Sequence, residues 1–109
     1  MIYVFGFYKF NRVYKLKYNK KFLQNLLMSK KIKGTVILSK EGINGNVAGN
    51  LNNVKKLSLI LKKKFRFKVF DSNHISKSSF QPFHKARVKI KKEVVPMNFK
   101  LLHKLKKNN

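Results

Sequence analysis

The chain has 109 residues, enough for one domain with a modest core, and its 43% apolar content excludes an intrinsically disordered polypeptide. It carries 27 Lys plus Arg against 3 Asp plus Glu, a formal charge of +24, and it has no cysteine. That composition excludes disulfides, a Cys-ligated metal and a thiol nucleophile within these residues, and no apolar run approaches the ~20 residues of a membrane-spanning helix.

Ile2 to Phe10 is rich in aromatic and β-branched residues and reads as a first strand. This start lacks a basic leader and is a poor signal peptide. Lys15 to Lys17 reads as a short polar link, after which Asn19 is placed to cap a helix. Phe22, Leu23, Leu26 and Leu27 recur there at helical spacing, lysines take the other face, and Gly34 is expected to stop the helix. The run from Gly34 to Gly49 then reads as strand, tight turn, strand, with Asn46-Val47-Ala48 as the return. Gly42 and Gly45 are expected in the turn, as residues that tolerate positive φ.

Asn50 or Asn52 offers the cap of a second helix, whose inner face is Val54, Leu57, Ile60 and Leu61 and whose last turns are lysine-rich. Arg66-Phe67-Lys68-Val69-Phe70 alternates strictly and predicts a fourth strand, followed by a polar, Ser-rich connection from Asp71 to Gln81. Between Phe83 and Val95 a second alternation sets Ala86, Val88 and Ile90 against Arg87, Lys89 and Lys91, which predicts a fifth strand ended by Pro96. Phe99 to Leu105 is compatible with a short helix. The order is that of a βαββαβ ferredoxin-like α+β fold, with an antiparallel sheet, two helices on one face and an extra C-terminal strand. Residues 1–95 form the domain and 96–109 a basic tail.

The charge points to a polyanion, most often RNA or DNA, although A-rich codons also inflate Lys and Asn. Lys85, Arg87, Lys89, Lys91 and Lys92 lie largely on one side of the fifth strand, where cations about 6.6 Å apart can follow a phosphate backbone. Tyr3, Phe5, Phe7 and Phe10 either stack bases or belong to the core, and no ribonucleoprotein-type aromatic motif accompanies them. The acids Glu41, Asp71 and Glu93 and the histidines His74, His84 and His103 show no metal-binding spacing. Glu41 stands out as a carboxylate at a hairpin tip in a very basic chain.

Two stretches carry a resemblance. Ser39-Lys40-Glu41-Gly42-Ile43-Asn44-Gly45 resembles the "EGIN" hairpin of the rhodanese-related tRNA uridine hydroxylases, and Phe83 to Val95 is similar to that family's basic strand, which ends in an acid and two aliphatics. Phe7-Tyr8-Lys9-Phe10 is similar to its first strand, and the resemblance covers residues 2 to 95. It implies the family's N-terminal, acylphosphatase-like domain and the family reaction, oxygen-dependent hydroxylation of the tRNA wobble uridine to 5-hydroxyuridine. Carried over by position, Glu41 and Asn44 become candidates for the substrate site, Lys40, Lys85, Arg87, Lys89 and Lys91 candidates for RNA binding, and Gly42 and Gly45 turn residues. The implied partners are tRNA and a separately encoded, cysteine-bearing rhodanese domain. The implied oxidant is molecular oxygen, with no cofactor or metal held by this chain and no membrane. A cytoplasmic location is expected.

Without a cysteine, the chain is expected to be either half of a split enzyme or a stand-alone module that keeps RNA binding. The alternative from a different class is a non-enzymatic RNA-binding or ribosome-associated protein. Lys9 to Val13 lacks the glycines of a true acylphosphatase phosphate loop, so acylphosphatase activity is not expected.

Overall fold

The computed structural model describes residues 1–92. Glu93, the strand end at Pro96, the helix expected over Phe99 to Leu105 and the basic tail 96–109 lie outside the described residues. The elements run β1 (Ile2–Phe10), α1 (Leu16–Ser29), β2 (Lys33–Ser39), β3 (Gly42–Gly49), α2 (Leu51–Lys64), β4 (Ser72–Ser78) and β5 (Ala86–Ile90). The sheet order is β4-β1-β3-β2-β5. Three of its pairings are antiparallel, and β5 joins β2 in parallel as the extra strand. This is the expected ferredoxin-like α+β plan.

Phe5, Phe7, Val36, Leu38, Ile43 and Val47 of the three inner strands are buried against Leu23 and Leu27 of α1 and Val54, Leu57 and Leu61 of α2. Both helices present an apolar stripe at i, i+3/i+4 and i+7/i+8 spacing to one sheet face. At ~25 cal/mol per Å² of apolar surface, each of these side chains contributes about 1.5–3 kcal/mol to holding the layers together.

Both boundaries of α1 differ from expectation. Helix α1 starts three residues before Asn19, because Lys15 turns the chain in a left-handed conformation (φ 50) and Leu16 extends the stripe seven residues before Leu23. Asn19 is an interior residue whose amide Nδ2 donates to the Tyr14 carbonyl at 2.7 Å. Gly34 does not stop α1; it sits inside β2. Both helices instead end in Schellman motifs with a cation at the left-handed position. Lys31 (φ 54) is followed by Ile32 N–H donating to the Leu27 carbonyl at 2.9 Å, and Arg66 (φ 59) by Phe67 N–H donating to the Lys62 carbonyl at 3.0 Å.

The fourth strand is the largest correction. Arg66 to Phe70 is not a strand, and the polar segment Ser72–Ser78 pairs with β1 in its place. The Phe side chains alternate for another reason. Phe65 and Phe70 are buried and Phe67 partly so, and Phe70 meets Phe67, Phe7 and Phe5 at 4.9, 5.4 and 5.7 Å. They close one end of the core as an aromatic plug. Strand β4 needs no apolar face, because at an edge its backbone bonds suffice and polar side chains suit its exposure.

Candidate nucleic-acid interface

Directly paired residues on neighbouring strands share a sheet face, so the register sorts the side chains. One cross-strand row on the face away from the helices is Ser72, Tyr8, Asn44, Ile37 and Lys89. The next is His74, Gly6, Asn46, Thr35 and Arg87. Each row crosses five strands, about 19 Å at ~4.8 Å per gap. Asn44 is half-buried near the middle, while Arg87 and Lys89 are exposed at the margin. The structure therefore brings Asn44, Arg87 and Lys89 onto one face.

The ladder extends beyond β5 at both ends, since Gly34 N–H donates to the Lys85 carbonyl at 2.8 Å and Lys91 N–H to the Leu38 carbonyl at 2.9 Å. Lys85 and Lys91 thus keep the two-residue spacing of Arg87 and Lys89, and all four are exposed. The opposite side of β5 is clipped to α1 by one side chain. Gln24 Nε2 donates to the Ala86 carbonyl at 2.8 Å, and its Oε1 accepts from Val88 N–H at 3.1 Å. That amide satisfies the outer edge of the strand, and with Val88 buried it fixes the face on which the cations stand. No sequence signal singled out Gln24.

The hairpin turn is Lys40-Glu41 alone, and neither residue has positive φ. Ser39 Oγ accepts from Glu41 N–H at 3.0 Å, and the chain after β1 clasps the tip: Asn11 N–H donates to the Glu41 carbonyl at 2.9 Å and Val13 N–H to the Lys40 carbonyl at 3.1 Å. Gly42 and Gly45, expected in the turn, are strand residues of β3. A Cβ on Gly42 would stand 2.0 Å from the Lys9 carbonyl oxygen, and one on Gly45 would stand 2.3 Å from the Phe7 ring. The glycines let β1 and a core aromatic approach the hairpin; Gly42 closes the turn with φ 157, while Gly45 has no part in the reversal.

Glu41 is half-buried at the tip, beyond the end of the asparagine rows. Lys40 shares a 390 Å³ concavity with Lys91, Lys92, Ile90 and Leu16. Lys40 therefore joins the β5 cations to the segment between β1 and α1. Asp71 is structural: its carboxylate accepts from Phe10 N–H at 2.6 Å and lies 3.6 Å from the Lys9 ammonium. Of the aromatics expected either to stack bases or to fill the core, Phe5 and Phe7 are core and Phe10 is 44% exposed. Tyr8 and Asn46 share the open face, and the period-2 pattern carried the signal for both, since they alternate with buried Phe7 and Val47.

An acylphosphatase-like module with a polar, cation-edged open sheet face is the class that this geometry defines. The chain belongs to the UPF0176 acylphosphatase-like domain family, whose sequence model matches residues 2–94. It is 55% identical over 106 residues to a tRNA uridine(34) hydroxylase of Pelagibacter ubique (strain HTCC1062), covering 97% of this chain and 35% of that protein. A Bartonella quintana (strain Toulouse) protein of the same name is 37% identical over 84 residues, covering 77% of this chain and 27% of its own length. The chain thus spans about a third or less of these curated relatives. Among solved structures, acylphosphatase from Bacillus subtilis aligns with a TM-score of 0.54 at 16% identity, covering 84% of this chain and 99% of that one. Full-length HypF in its phosphate- and nucleotide-bound form aligns with a TM-score of 0.60 at 17% identity, covering 88% of this chain and 13% of that one. At such identities the two likenesses concern the fold.

Proposed function

We propose that this chain is the tRNA-docking module of a wobble-uridine hydroxylase, a tRNA-modification system that forms 5-hydroxyuridine with molecular oxygen. Family membership, with relatives named as tRNA uridine(34) hydroxylases, supports the reaction class. The observation that carries the docking role is the alignment of Lys85, Arg87, Lys89 and Lys91 with Asn44 on a sheet face that, among the described residues, no helix covers. The cations hold phosphates and release counterions, while Asn44 and Asn46 offer hydrogen bonds to a base or ribose. The chain has no thiol, so its own contribution is binding and positioning, and a cysteine-bearing rhodanese domain on another segment or polypeptide supplies the rest. Glu41 and Asn44 border the place where the uridine is presented.

The test in cells is mass spectrometry of tRNA nucleosides from a strain lacking the gene. Loss of 5-hydroxyuridine and its derivatives, restored by the gene but not by an Arg87→Ala/Lys89→Ala variant, is expected. Unchanged levels in the deletion strain would overturn the role.

A further inference from the structure

The C-terminal ends of β1 and α2 and the start of α1 meet near the hairpin tip at one end of the molecule, and a 740 Å³ cavity opens among the segment after β1, the start of α1 and the end of α2. Four cations, Arg12, Lys15, Lys64 and Arg66, and two tyrosines, Tyr14 and Tyr18, stand in its lining, which includes no carboxylate. We propose that this cavity is a second RNA site, one that takes a single-stranded nucleotide with its phosphate among the four cations and its base on a tyrosine ring.

Three observations carry the assignment. First, two of the cations are held in place. The Lys64 ammonium lies 4.8 Å from the Tyr18 ring centre and 4.6 Å from that of Phe22, and the Arg12 guanidinium lies 5.6 Å from that of Tyr14. Cations fixed by aromatic rings lose less freedom on meeting a phosphate than freely swinging lysines do. Tyr14 and Tyr18 remain 67% and 59% exposed, which leaves ring surface for a base.

Second, two of the three non-glycine residues with positive φ among the described residues, Lys15 and Arg66, border this cavity. Left-handed backbone at bulky residues costs stability, and glycine would serve both turns better. Each of these two positions instead carries a cation that stands in the cavity lining.

Third, the buried polar residue of the lining, Asn19, is 8% exposed, and its Oδ1 has no hydrogen-bond partner among the described residues. This buried oxygen is unused acceptor capacity in the wall of the cavity. The uncapped first turn of α1, which has no acidic residue, adds positive potential beside it. A duplex cannot offer its base to a tyrosine, so the ligand is an unpaired nucleotide. Lys40 lines an adjoining 570 Å³ hollow with Arg12, Tyr14, Lys15 and Tyr18, so a strand leaving the β5 cations reaches the cavity past Lys40.

The experiment is amide NMR titration of the whole chain with uridine 5′-monophosphate, uridine, inorganic phosphate and the trinucleotide UpUpU. Saturable shifts clustered at residues 11–19 and 64–66 are expected, tightest for UpUpU, at least tenfold weaker for phosphate and absent for uridine. Tyr18→Ala and Lys64→Ala are each expected to weaken UpUpU binding by tenfold or more, and Lys55→Ala, exposed on α2 outside both surfaces, to leave it within twofold. Thermal midpoints and amide spectra of the variants establish that they fold. Equal shifts for phosphate and nucleotide, shifts spread over the β5 and helix lysines, or no effect of Tyr18→Ala in a folded variant would overturn the proposal. Because the probe engages a site distinct from the open face, its failure leaves the tRNA-docking reading standing, and failure of tRNA docking leaves this site testable.

Discussion

At the scale of the residue, Gly45 shows how a glycine can be required for a reason other than the one its neighbours suggest. The Asn44-Gly45 pair invites a turn, yet Gly45 lies in β3 opposite Phe7 and Val36. The Phe7 ring, 4% exposed and 4.8 Å from Phe5, occupies the space that any side chain at this position would need. That requirement involves a ring 38 positions away, and no local pattern records it. Gly45→Ala is expected to destabilise the fold by about 1–3 kcal/mol through overpacking, read as a lower urea midpoint at unchanged slope. Phe7→Leu added to Gly45→Ala is expected to recover part of that loss, because the two residues are in contact. Asn44 was legible as a site candidate only through the EGIN resemblance; its place on the open face follows from register.

At the scale of the element, strand and helix periods located β1, β2, α2 and β5, and their apolar stripes became the core. The same logic misplaced β4. Alternation of Phe67 and Val69 with Arg66 and Lys68 satisfied the strand pattern, but Val69 is 67% exposed and the phenylalanines serve a helix end and a core plug. The segment that does pair, Ser72–Ser78, carries no apolar period because an edge strand is held by backbone bonds. The Schellman ends were equally hidden, since a left-handed position usually announces itself with glycine and here holds Lys31 and Arg66. Arg66→Gly is therefore expected to raise stability by about 1 kcal/mol in a denaturant melt while weakening UpUpU binding. A second prediction concerns how β5 is attached. Gln24→Leu removes two hydrogen bonds to that strand and is expected to cost about 1–3 kcal/mol, with the Val88 amide exchanging hydrogen faster than amides of β1.

At the scale of the whole molecule, a charge of +24 makes some affinity for any polyanion unavoidable, so binding alone says little about a site. Placement is what distinguishes the β5 cations. Lys55 and Lys56 are also exposed, but they stand on α2, against the opposite side of the sheet. The sequence carried the cations of β5 in plain alternation; it did not carry which face the helices leave open, because that depends on the crossovers between strands.

The most direct measurement is tRNA affinity of the whole chain at 0.05–0.2 M salt for the unchanged protein, Arg87→Ala/Lys89→Ala and the charge-matched Lys55→Ala/Lys56→Ala. Docking on the open face predicts that the β5 pair loses tenfold or more, about 1.4 kcal/mol, and flattens the salt dependence by one to two units of slope, while the α2 pair loses less than threefold. Equal losses for the two pairs would contradict it, and would leave net charge as the whole of the interaction.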